Sequence, residues 1–251
     1  MKITRKEWKA YTDRLAKLNN TASELVVDYI EEHGIEDASA LIDYSYKVAK
    51  KYANASAALN ALMYDTIAEM EAIVLPAAEL AALPTYGDVA KAVYGTLKTS
   101  VNEHEIAGAV SRLVKLTGED TMLKNAKRDH AEAAWIPEGG ETCAFCLALA
   151  SRGWESVSRA GYDGHAEHIH SNCQCSYMVR HSEDFGVRGY NPDEYKKMYY
   201  DADPGGSSKD KINAMRRQAY AENKDSINEQ KRMAYRARVL AEEDADEIKV
   251  N

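Results

Sequence analysis

Residues 143–146 read CAFC, and residues 170–175 read HSNCQC. These two runs hold all four cysteines of a 251-residue chain. A disulfide framework would spread its staples along the sequence, whereas clustering in one short segment favours a metal site. Zinc takes four soft or borderline ligands in a tetrahedron at about 2.0–2.3 Å. Cys143 and Cys146, three residues apart, supply two thiolates from one tight turn. On an extended strand, residues two apart face the same side, so Cys173 and Cys175 can point at the same ion. Two ligand sets follow: four thiolates with His170 nearby, or three thiolates plus His170. Four free thiols packed as small apolar groups, or disulfides formed outside the cell, are the alternatives without a metal.

The segments flanking the cysteines predict a small α+β module. AEAAWIPEGGET, from Ala131, suits one strand and a Gly-rich turn. CAFCLALASRG has room for one or two helical turns, and WESVSRAGYDGHAEHIHSN reads as loop. CQCSYMVRH alternates and is β-prone, which predicts a strand from Cys173 to Val179. A zinc ion would tie the two strands together and supply the stability that so small a core lacks. Pro192 then opens a short helix, DEYKKMYY.

Everything N-terminal to this module reads as helix. Trp8, Tyr11, Leu15, Leu18, Ala22, Leu25, Val26, Tyr29 and Ile30 follow helical spacing, with Gly34 as the stop. Asp37 caps a second helix running to about Val74. Pro76 and Pro84 bracket an irregular link. A third helix is expected over Asp88–Lys98 and a fourth over Glu103–Leu116, capped by Asn102 and Glu105. Gly118 is expected to end the fourth, and 120–129 to form a fifth. The Tyr and Met positions of these helices read as core. C-terminal to the module, DADPGGSSKD reads as linker and Lys209–Glu243 as a long helix. The expected fold is therefore mainly α: an N-terminal helical domain (1–130), a zinc-stapled module (131–202), and a linker with a basic helix and acidic tail (203–251).

Composition sets the outer limits. Lys plus Arg is 32 and Asp plus Glu 40, a net charge of −8, which argues against a surface that wraps nucleic acid everywhere. The hydrophobic fraction of 45% and charged fraction of 29% are those of a soluble globular chain. Sixteen Tyr against two Phe supply amphipathic rings suited to contact surfaces. The first twenty residues are charged and lack the apolar core of a secretory signal, and no run reaches the length of a membrane span. Synthesis in the bacterial cytoplasm and no membrane partner are the expectations. Between Lys209 and Arg238, nine basic residues outnumber four acidic ones, a pattern that suits phosphates of packed DNA, an acidic protein partner or simply solvent.

The run ETCAFCLALASRGW, a loop, then HSNCQCSYMV resembles the signature of phage minor head proteins related to phage Mu protein F. The preceding Trp135-Ile136-Pro137 and the following Asn191-Pro192-x-x-Tyr195 also fit, so the resemblance covers about 131–200. Gln174 departs from it, since many members place a basic residue there. The resemblance implies a minor capsid protein of the phage head. Such a protein lies in the head interior or at the portal vertex, and contacts portal protein or major capsid protein. It serves head assembly, DNA packaging or delivery, with structural zinc and no enzymatic activity.

Enzyme readings compete on fewer residues. His165-Ala166-Glu167 matches the H-x-E of zinc deaminases, but there H-x-E precedes P-C-x-x-C, whereas here C-x-x-C comes first and Thr142 replaces proline. His168, His170 and Asn172 suggest a nuclease, but sit too close together for a hairpin-plus-helix site. No phosphate-binding loop, zincin or nucleophile-elbow motif occurs. A zinc-dependent nucleic-acid-processing enzyme or a phage-borne effector is the runner-up, and a zinc-knuckle adaptor unrelated to virions a third reading.

Overall fold

A computed structural model describes residues 2–138, 143–157, 173 and 175–222, with 224–225, 228–229 and 232–233 of the tail. Among these residues the chain is mainly helical, with a small sheet, as the periodicity predicts. A two-residue strand β1 (Lys2–Ile3) leads into α1 (Arg5–His33) and α2 (Ala38–Met70). Next come α3 (Tyr86–Leu97) and α4 (Glu103–Arg128). The module comprises β2 (Glu132–Ile136), α5 (Ala144–Ala150), β3 (Glu155–Ser156), β4 (Ser176–Arg180), β5 (Gly186–Val187) and α6 (Pro192–Ala202). A final helix, α7, spans 208–222.

The expected caps are in place, except that only the Asn102 half of the box at α4 forms, the Asn102 amide donating to Ser100 Oγ instead of Glu105. Gly34 ends α1 with φ 72°, a left-handed backbone that a side chain resists. The side chains of Asp37 and Asn102 accept amides of the first turns of α2 and α4. Asn191 caps α6, with Pro192 in its first turn. The third helix begins two residues early because Thr85 and Asp88 form a reciprocal capping box.

Gly118 does not end a helix. α4 runs unbroken through it to Arg128, so the expected fourth and fifth helices are one. The reason is packing. A β-carbon at Gly118 would come within 3.0 Å of Ser56 Oγ and Asn60 Nδ2, so the glycine is what lets α4 lie this close to α2. The facing stripe of α2 is correspondingly small: Ala49, Ala53, Ser56, Ala57 and Ala61 are buried. α4 is the central helix, touching α1, α2, α3 and the sheet.

The proline-bracketed link after α2 forms neither helix nor strand. Side chains take the place of a β partner. The Ala78 and Ala81 amides donate to Asp65 Oδ1 and Thr121 Oγ1 at 2.9 and 3.0 Å. Asn125 bonds both the amide and the carbonyl of Glu79, at 2.9 and 2.8 Å. Arg128 donates to the carbonyls of Ala77 and Pro76.

In the module β2 is the central strand, antiparallel to β4 and β3. Its register with β4 runs from Glu132 opposite Arg180 to Ile136 opposite Ser176. The strand expected at Cys173 begins at Ser176, so the C-x-C pair lies immediately before the first paired residue. β3 falls in a stretch expected to be loop, and β1 pairs in parallel with the sequence-distant β5, Lys2 opposite Gly186. The boundary near residue 130 is a change of secondary-structure type. The hydrophobic core crosses it: Trp8, Tyr11, Leu15, Tyr64, Ile67 and Met122 share one cluster with Trp135, Tyr177, Val179 and Cys146. Burial at about 25 cal/mol per Å² is the main force holding module to helices.

Candidate metal centre

Two segments bring the cysteines together. Cys143 is the N-cap of α5, and its sulfur accepts the Cys146 amide at 3.4 Å. Cys146 lies in the first turn of α5, facing the core. Cys173 and Cys175 approach from the chain entering β4. The sulfurs of Cys146, Cys173 and Cys175 all lie within 4.8 Å of one another, and Cys146 Sγ is 3.3 Å from Cys173 Sγ. No disulfide joins any of the four cysteines. Ligands 2.3 Å from a tetrahedral ion are about 3.8 Å apart, so the spacing suits a metal. A sulfur-only donor set selects soft or borderline ions, zinc among them.

The trio is deeply placed, with Cys146 1%, Cys173 5% and Cys175 2% exposed. Crowding and burial act on the thiols together. Hydrogen bonds with Cys143, then Cys173 and Cys175, push the Cys146 thiol far up, and burial adds to this. For Cys175 the bond with Cys146 pulls downward, but Cys173 and burial outweigh it and the thiol also rises. With no cation beside them, the Cys146 and Cys175 thiols hold their protons. A divalent ion reverses that balance, so binding must release protons. Cys175 is further positioned by the Glu138 amide, which donates to its sulfur at 3.5 Å.

The helical region closes the site from behind. Lys115 of α4 is buried, and its Nζ donates to the carbonyls of Cys173 and Cys175 at 2.5 and 2.6 Å. One turn on, Glu119 accepts the Ser176 hydroxyl at 2.8 Å and the Tyr177 amide at 2.9 Å. Burial lifts the Glu119 carboxyl to about 7, against the opposing pull of Lys115 and these two hydrogen bonds. Lys115 also faces the Trp135 ring at 5.8 Å, and Trp135 meets Tyr177 edge-on at 4.7 Å. Lys115 and Glu119 were not among the candidate residues. A Lys and a Glu four apart on a helix read as a surface pair, and only tertiary packing turns this pair inward.

Of the five candidate ligands, Cys146, Cys173 and Cys175 converge, and Cys143 stands beside them through the α5 cap. His170 lies outside the described residues, as do His165, Glu167, His168 and Asn172. His181 is described: its ring meets Tyr64 edge-on and its amide donates to Glu71. In the basic helix, Lys211 is turned inward, donating to the Gly206 carbonyl and facing Tyr199 and Tyr200, so the basic face excludes it. No helix among the described residues is long and apolar enough to cross a membrane.

Neither the curated proteins nor the solved structures include a match to this chain. The VG15 protein family matches residues 2–202, which takes in the long helices, both halves of the cysteine cluster and α6, and leaves out the C-terminal segment 203–251. Matched over most of its length, the chain belongs to the VG15 protein family, a viral gene family.

Proposed function

We propose that this chain is a phage minor capsid protein. It sits in the head interior or at the portal vertex, contacts portal or major capsid protein, and serves head assembly, DNA packaging or delivery without catalysing a reaction. The observation that carries the non-enzymatic part is the burial of the sulfur trio. A catalytic zinc keeps one position open to water and substrate, whereas these sulfurs are buried in the same packed cluster as Trp135, Tyr177 and Leu149. The ion is a structural zinc held by Cys146, Cys173 and Cys175, with Cys143 or His170 as fourth ligand, and it locks α5 to the root of β4. Membership of a viral family and the likeness of the cysteine segment to proteins related to Mu protein F support the phage-head assignment. The exposed Arg216 and Arg217 on α7 offer contacts to DNA phosphates or to an acidic partner.

Quantitative mass spectrometry of purified particles tests the reading. A few to a few tens of copies per particle, far below the major capsid protein, is the expected result. Synthesis during infection with absence from particles overturns it, and brings forward the zinc-dependent enzyme or effector. Elemental analysis of the purified chain should give one zinc. Metal-free protein with four freely reactive thiols removes the zinc.

A further inference from the structure

We propose that Lys115 is the positioning residue of the metal centre, holding the C-x-C turn in its ligating conformation from the helical side of the molecule. This inference rests on the reading of the cysteine cluster as a metal site. Lys115 lies in the middle of α4, remote in sequence from every candidate ligand, and is only 5% exposed. Its ammonium bridges the two carbonyls that flank Gln174, those of Cys173 and Cys175. One short segment carries both sulfurs, so a single donor gripping both carbonyls fixes the peptide groups from which the two side chains leave, and these sulfurs converge on Cys146.

The Lys115 charge also acts on the buried Glu119 carboxyl, but its hydrogen bonds go to the cysteine carbonyls. Glu119, one turn away, gives its oxygens to Ser176 and Tyr177. Lys115 also lies over the face of Trp135. A divalent ion held by three or four thiolates carries net negative charge in a dry setting, where an ammonium bonded to the ligands' own peptide groups offsets it. Metal ligands depend on such supporting hydrogen bonds for affinity as well as geometry. Lys115 thus makes metal affinity a property of the helical bundle and the cysteine turns together.

Cobalt(II) serves as the probe, because thiolate-to-cobalt charge transfer and the d–d bands report ligand set and geometry. Full-length protein, Lys115→Met, Lys115→Arg and the core control Ile67→Val are titrated with cobalt, then with zinc in competition. Loss of a supporting contact typically weakens metal binding about 10–100-fold. The expected result is a loss of that size with altered d–d bands in Lys115→Met, tighter binding in Lys115→Arg than in Lys115→Met, and wild-type behaviour in Ile67→Val. Wild-type affinity and spectrum in Lys115→Met overturn the role of Lys115 and leave the metal site standing. Failure of the wild-type chain to bind either ion overturns the metal reading and this inference with it. Should Lys115→Met not fold, the Nζ resonance of Lys115 in the wild-type protein decides. It is expected to be protected from exchange and to shift on zinc addition, and a resonance indifferent to zinc overturns the proposal.

Discussion

Replacing Gly118 by alanine and Gly95 by alanine should have opposite effects on stability, although both glycines lie within helices. In an exposed helix interior, Gly→Ala stabilises by up to about 1 kcal/mol through backbone entropy. Gly95, on α3, meets nothing within 4 Å of an added β-carbon and should show that gain. At Gly118 the same methyl group enters the α2–α4 contact, too close to Ser56 Oγ and Asn60 Nδ2. The serine hydroxyl can rotate away, but Asn60 has no such freedom. Its Nδ2 donates to the Ser56 carbonyl at 3.0 Å, and its Oδ1 accepts the Tyr11 hydroxyl at 2.7 Å, all in the buried core. Overpacking costs about 1–3 kcal/mol, and a buried polar group that loses its partner costs about 1–3 kcal/mol. Against a helix gain of about 1 kcal/mol, the net expectation for Gly118→Ala is a loss of about 2 kcal/mol. For a chain of this size that lowers Tm by about 4–8 °C. Urea unfolding followed by circular dichroism measures both variants. A Gly118→Ala protein as stable as, or more stable than, the wild type would refute the close-packing argument.

Three further outcomes are expected. Removing the metal with a chelator should loosen the β2–β4 sheet and change the fluorescence of Trp135, and re-adding zinc should release protons, seen as a buffer-dependent heat in calorimetry; a buffer-independent heat counts against thiol ligation. The Asp129 carboxyl is held below its ordinary 3.8 chiefly by the bond from Arg128, with burial opposing and Tyr64 assisting, so its contribution to stability is present above 3.8 and is lost as pH falls through the lowered value. Asp129→Asn should therefore be less stable at neutral pH and show a flatter acid limb in urea midpoints taken from pH 7 to pH 3, and parallel curves would contradict this. Glu71→Ala removes the carboxylate that accepts the His181 and Ser182 amides at 2.9 and 2.8 Å, and should cost about 1–3 kcal/mol while raising amide exchange after β4.

The long helices were legible because their information is local. Apolar residues at Trp8, Tyr11, Leu15 and Ala22 repeat at helical spacing, and Gly34, Asp37, Asn102 and Pro192 punctuate the chain through their own backbone and side-chain chemistry. The cysteine cluster was legible for a related reason: four thiols in two short runs name their chemistry before any fold is known. What could not be read depends on contacts between distant residues. β1 pairs with β5 over nearly two hundred positions, and two-residue strands carry no periodicity of their own. The proline-bracketed link owes its course to Asp65, Thr121 and Asn125, side chains whose partners lie elsewhere in the chain.

Gly118 and Lys115 mark the division most clearly. Taken locally, a glycine late in a helical run is a stop and a lysine on a helix is a solvated charge. The sequence by itself determined helix type and periodicity, most of the caps and the sulfur chemistry, because each follows from residues a few positions apart. Only the tertiary structure decided that α2 and α4 pack closely enough to need a glycine, and that Lys115 reaches the carbonyls of Cys173 and Cys175. Close packing and the burial of a charge depend on which surfaces meet, and that is settled when the whole core forms.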